Sequence, residues 1–105
     1  MALIDVTDQD FRQKVTENKT PVLVDLHAVW CGPCRLAGPI LEELSKEYEG
    51  QIDFVKIDVD KNPASAQALQ VMSIPTTILF KDGKEVGRQI GFGGRKPFED
   101  LLAKA

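Results

Sequence analysis

The run Val22 to Ala28 is short, mostly aliphatic and β-branched, and it ends just before Trp30-Cys31-Gly32-Pro33-Cys34. A segment of that length and type reads as a strand buried on both faces. The cysteine-bearing residues after it open a helix. Pro33 supplies the fixed φ of a first helical turn, where its missing N–H costs nothing. An apolar stripe of Leu36, Ile40, Leu41, Leu44 and Tyr48 then recurs near the helical period, and Glu49-Gly50 closes it. Pro39 falls inside this helix and is expected to kink it. A buried strand therefore delivers two cysteines to the start of a helix, and the remaining elements must be arranged around that unit.

Upstream, Thr7 is suited to cap a first helix, with Asp8 and Asp10 near its positive end. Phe11 and Val15 lie four apart on its inner face, and Asn18 to Pro21 end it. Downstream, Ile52 to Val59 reads as a strand and Asn62-Pro63 starts a short helix through Ala64, Ala66 and Leu69. Thr76 to Phe80 is a strand, Asp82-Gly83 a hairpin turn, and Lys84 to Gly91 the returning strand. Arg95-Lys96-Pro97 opens a last helix with Phe98, Leu101 and Leu102 inward. A strand–helix–strand unit makes the central strands parallel with a right-handed crossover. The hairpin adds an antiparallel edge. The expected class is α/β: a three-layer α/β/α sandwich whose central mixed sheet is flanked by four helices. There is no internal repeat or linker, and 105 residues suit one domain spanning residues 1–105.

Composition removes several function classes. Lys and Arg are scattered and the net charge is −3, so there is no basic footprint for nucleic acid. No apolar run approaches the roughly 20 residues of a membrane span. The start, MALIDVTDQDFRQKV, is polar and acidic, unlike a secretory leader, so a soluble intracellular protein is expected. Only two cysteines occur, three positions apart, where a secreted disulfide scaffold would carry more. A bridge between them closes too small a loop to stabilise the fold much. The pair therefore points to redox or metal chemistry.

Cysteines at i and i+3 of a first helical turn lie on one side, at a separation that suits a disulfide. Cys31 is expected at the helix N-terminus, where free amides and the dipole favour a thiolate, the nucleophile of thiol–disulfide exchange. Cys34, one turn in and expected to be more buried, can resolve the mixed disulfide that Cys31 forms. Gly32 keeps the approach to Cys31 free of side-chain bulk. A zinc half-site is the alternative, but zinc wants four ligands and His27 is the only histidine. No metal is expected. Trp30 is either a flat apolar surface for a protein substrate or a packed core aromatic.

Beyond the dithiol, Val24-Asp25, Pro39, Lys56, Ile74-Pro75-Thr76, Gly83 and Gly91 occur in order and spacing. With Trp30-Cys31-Gly32-Pro33-Cys34 they make the chain resemble the thioredoxin family over essentially its whole length. Cys-x-x-Cys alone is a weak sign, and it is the established signature of that family; the full series is specific. The resemblance implies a thioredoxin fold and a protein thiol–disulfide oxidoreductase that reduces disulfides of target proteins. It implies Cys31 as nucleophile, Cys34 as resolving thiol and a Cys31–Cys34 disulfide as the oxidised form, with Gly32 and Pro33 part of the active site. It implies that Asp25, a buried acid beneath the dithiol, relays a proton to or from Cys34, and that Lys56 tunes it. It implies substrate binding by Trp30, Ile74, a cis Pro75 and Gly91. Read without the resemblance, Asp25 could be an acid on a strand's polar edge, Lys56 a solvated strand residue, Pro75 an ordinary loop proline and Gly91 a strand-end glycine of unusual φ.

The chain has no dinucleotide fingerprint. The resemblance supplies the electron source: a flavin-containing, NADPH-dependent thioredoxin reductase. It also implies no bound cofactor, a monomer and a cytoplasmic location. Position 27 departs from the pattern, with His where many members carry an aromatic. His27 is either a packed neutral ring or a titrating group near the dithiol. Val29 and Arg35 also flank the motif, Arg35 adding positive charge. An oxidase or isomerase on the same fold is a second reading, which Gly32-Pro33 disfavours because neither residue stabilises a thiolate as a histidine would. A third is a binding module that uses the Trp30, Ile74 and Gly91 groove without turnover.

Overall fold

The computed structural model describes residues 3–105, so the expected domain start at residue 1 lies outside the described residues. Strands β1 (Ile4–Asp5), β2 (Val22–His27), β3 (Asp53–Asp58), β4 (Thr76–Lys81) and β5 (Lys84–Ile90) form one sheet in the order β1-β3-β2-β4-β5. β2 is parallel to β3, β1 is parallel to β3, and β4 and β5 run antiparallel to their neighbours. Helices α1 (Gly32–Glu47), α2 (Pro63–Ala68) and α3 (Arg95–Leu102) and a helical turn at Arg12–Thr16 complete the fold.

The two-residue period of a strand sorts the core into two halves. Val22, Val24 and Leu26 face one side with Val55, Ile57, Ile78 and Phe80. There they pack against Val15 of the N-terminal turn and Phe11 at its N-cap, and against Ala66 of α2 and Leu69 at its C-cap. Leu23, Phe54 and Leu79 face the other side, against Ala37, Leu41 and Leu44 of α1 and Phe98, Leu101 and Leu102 of α3. Each of these large side chains is worth about 1.5–3 kcal/mol on full burial. Two apolar faces covered by helical layers are the three-layer sandwich expected from the sequence.

Four local expectations need correction. β1, which the sequence pattern does not anticipate, is a two-residue strand, too short for any periodicity to register. Thr7 caps a turn that precedes the helical residues, whose own N-cap is Phe11: the Thr7 hydroxyl accepts from Asp10 N–H at 3.4 Å while Asp10 Oδ1 accepts from Thr7 N–H at 2.7 Å. The helical residues come after this box and close with an i→i+5 bond, Glu17 N–H to Arg12 O at 2.8 Å. Asp8 serves a different helix, accepting from the Ala64 and Ser65 amides and the Ser65 hydroxyl at the start of α2. In α1, Leu36 is 62% exposed and Ala37 is fully buried, because the true stripe is Cys34, Ala37, Leu41 and Leu44.

α1 runs through Pro39 without interruption. The β4–β5 turn places Asp82 at φ 54° and Gly83 at φ 79°, the left-handed pair that a tight hairpin needs. Gly83 does more than turn the chain, since a Cβ there would lie 2.7 Å from the Thr16 carbonyl oxygen. No helix among the described residues is long and apolar enough to cross a membrane.

Candidate active site

β2 ends at His27, and Cys31, shortly after it, is the N-cap of α1. Its backbone is extended, at φ −84° and ψ 115°, and its Sγ accepts the Cys34 N–H at 3.2 Å. The sulfur thus takes the place of a capping oxygen and satisfies one of the amides that every helix start leaves free. Cys31 and Cys34 are joined as a disulfide with their Cα atoms 5.3 Å apart. Cys34 is not the more buried of the two: it is 7% exposed against 4% for Cys31. Ala28, Val59 and Ile74 pack around both. What distinguishes the two sulfurs is therefore position along the helix dipole rather than depth.

The peptide between Ile74 and Pro75 is cis. Ile74 O lies 3.9 Å from Cys31 Sγ. Pro75 O in turn accepts the Gly91 N–H at 2.8 Å, tying the end of β5 to the same loop. Gly91 has φ +81° and open space where a Cβ would point. Backbone conformation alone explains glycine there, and the space before it stays clear.

Trp30 is on the surface, 65% exposed, and Val29 beside it is 68% exposed. The indole Nε1–H donates to Asp60 Oδ2 at 2.7 Å, which holds the ring in one orientation. Arg35 donates to Val29 O through Nε at 3.3 Å and Nη2 at 2.9 Å, bracing the loop that carries Trp30. A pocket of about 290 Å³ lies between Trp30, Val59, Val71, Met72 and Ile74. A larger recess of about 550 Å³ sits at the far end of the sheet, among Ile4, Lys14, Glu49 and Asp53, away from the dithiol. No group of three or more His, Cys, Asp or Glu among the described residues could hold a metal ion.

Asp25 lies on the α1 side of β2, two residues beyond Leu23, and is 4% exposed. Lys56 of β3 is directly opposite it in register. Burial pushes the Asp25 carboxyl up to about 7, and the Lys56 charge pulls against that rise. His27 is half-buried beside Asp58 in the β2–β3 register. Desolvation lowers its pKa, with Asp58 opposing and Lys56 reinforcing, which favours the neutral ring. That supports the packed ring over the titrating group.

Asp60 and Thr77 carry no motif that singles them out in the sequence. Asp60 comes after β3 as Trp30 comes after β2, and the two strands are parallel and in register, so their downstream loops emerge together. That register, once inferred, is the signal that could have found Asp60.

A family model described as Thioredoxin matches residues 2–104. Thioredoxins of Staphylococcus aureus strains Mu50, MW2 and N315 are each 48% identical over 104 residues, covering 99% of this chain and 98% of theirs.

Proposed function

The chain belongs to the thioredoxin family and is a protein thiol–disulfide oxidoreductase, and we propose that its reduced form donates two electrons to protein disulfides through Cys31. The observation that carries this is the Cys31 sulfur at the N-cap of α1, within hydrogen-bond reach of the Cys34 amide and joined to Cys34. The Cys31 thiolate attacks one sulfur of the target disulfide and expels the other as a thiolate. Asp25 takes the Cys34 proton, and the Cys34 thiolate attacks Cys31 Sγ. The second target thiolate leaves, and the Cys31–Cys34 disulfide remains. A carboxyl titrating at about 7 suits a proton carrier at neutral pH. Lys56, opposite Asp25, keeps the charged form accessible.

Gly32 and Pro33 set the turn between the two sulfurs. Trp30, Ile74, Pro75 and Gly91 form the docking rim, with the Ile74 backbone pairing to an extended target segment. The protein works as a single-domain monomer in the cytoplasm without a bound cofactor. A flavin-containing, NADPH-dependent thioredoxin reductase regenerates it.

The test is turnover of a disulfide-bonded protein with NADPH and a thioredoxin reductase. NADPH is expected to be consumed in proportion to target disulfide only when this protein is present. No turnover with either reductase or dithiothreitol, or a strongly oxidising equilibrium with glutathione, would contradict the reading.

A further inference from the structure

Three buried side-chain polar atoms have no hydrogen-bond partner among the described residues: Asp25 Oδ1, Thr77 Oγ1 and His27 Nε2. Two of them face each other. Asp25 and Thr77 are directly opposite in the antiparallel β2–β4 pair, and Leu23 and Leu79 are opposite two residues along. Leu23 and Leu79 point to the α1 side, so the two-residue period puts Asp25 and Thr77 on that side as well. Opposed residues in such a pair have Cβ atoms about 4.5–5.5 Å apart; the two oxygens are not bonded to each other as they stand, and a turn of the Thr77 side chain or one bridging water joins them. Asp25 is 4% exposed and Thr77 is 0% exposed, so neither has bulk solvent to turn to. Neighbouring Thr76 shows the contrast, since its hydroxyl donates to Ser73 O at 2.7 Å.

The geometry points to Thr77 as a positioning residue for Asp25: its hydroxyl is the partner that holds the inner carboxyl oxygen while the proton passes to and from Cys34. Joining the two, by rotation of the hydroxyl-bearing side chain or through one water, removes two buried polar deficits, where leaving both open costs the desolvation of each. A hydroxyl suits a group that changes charge. It donates to the carboxylate and accepts from the carboxylic acid, so the partnership survives both states. The charged and titratable groups around Asp25 are Lys56 from β3, with Asp58 two residues along that strand, and His27 further along β2, with Cys34 of α1 as the carboxyl's partner in the proposed proton transfer. β4 contributes no charge opposite Asp25, only this hydroxyl. Lys56 therefore acts on one flank of the carboxyl through charge, and Thr77 on the other through a hydrogen bond.

The inference rests on the reading of Asp25 as proton carrier, but its test does not depend on turnover. Thr77→Val keeps the shape and removes the hydroxyl. The Asp25 carboxyl carbon is titrated by NMR in the wild-type protein, Thr77→Val and Thr77→Ser. Loss of the donor is expected to raise the Asp25 midpoint by roughly one pH unit in Thr77→Val, and Thr77→Ser is expected to restore it. An unchanged midpoint in Thr77→Val would overturn the proposal, and a higher melting temperature beside it would show that the hydroxyl had no partner. If Thr77→Val does not fold, Thr77→Ser and Thr77→Ala are compared: separate midpoints support the bond, coincident ones defeat it. Normal turnover by Asp25→Asn would remove the proton-carrier reading alone and leave the measured coupling intact.

Discussion

Replacing Cys31 with serine drops reduction of protein disulfides to the rate seen without the protein, whereas replacing Cys34 leaves a protein that reacts once and stops. The asymmetry comes from the helix. Residue 31 is the N-cap, where a sulfur anion meets the Cys34 amide and the positive end of the dipole. Serine there still caps but is far too basic to serve as a nucleophile at neutral pH. Cys34 lies one turn inside, and its work begins only when a mixed disulfide exists. In Cys34→Ser the target stays bonded to Cys31, and one target per protein molecule is expected on a non-reducing gel or by intact mass. Multiple turnovers by Cys34→Ser, or trapping by Cys31→Ser, would reverse the assigned roles.

Asp25→Asn is expected to stabilise the fold at alkaline pH. Burial holds the folded-state carboxyl at about 7, against 3.8 for an unperturbed Asp, and the Lys56 charge offsets only part of that rise. Between those values the folded chain keeps a proton that the unfolded chain has lost. Stability is therefore fully present below the unfolded value, falls as pH rises through the folded one, and is level above it. The window spans about three pH units, so the wild-type protein should lose about 4 kcal/mol across it relative to Asp25→Asn. His27 contributes with the opposite sign. Desolvation depresses its pKa, so the folded state loses stability as pH falls through the ordinary histidine range. Because both proteins carry His27, it cancels in the comparison. Urea unfolding at pH 4, 6 and 8 reads the difference, and parallel pH profiles for the two proteins would mean that Asp25 is solvated. The same variant should slow the Cys34 step, since the acceptor for its proton is gone.

Much of this architecture was legible because it rests on strong local signals. The aliphatic run Val22 to Ala28 marks a strand buried on both faces, Asp82-Gly83 marks the hairpin, and Pro33 marks the start of α1. What escaped was set by pairs distant in the chain or by elements too short to have a period. β1 is two residues long, held by its pairing to Val55 and Lys56. Asp8 reads as an acid at the positive end of its own segment's helix, yet it accepts from the first amides of a helix more than fifty residues away. Leu36 looked like core from its type, but the rotation of α1 turns it to solvent and brings in Ala37. In the site, the motif named both cysteines but not their relative burial, which depends on how Ala28, Val59 and Ile74 close over them. The surface position of Trp30 depends on Asp60, and the partner opposite Asp25 depends on β4 register. Neither contact has a local trace in the residues around Trp30 or Asp25.

The most direct measurement is the pH dependence of alkylation of the reduced protein, resolved residue by residue with mass spectrometry. Cys31 is expected to react at pH 7 well ahead of Cys34 and faster than free cysteine, with its rate rising through a midpoint below about 8.5. A residue-31 thiol that reacts no faster than cysteine in solution, and only as pH approaches that value, would contradict the helix-terminal nucleophile on which the mechanism stands.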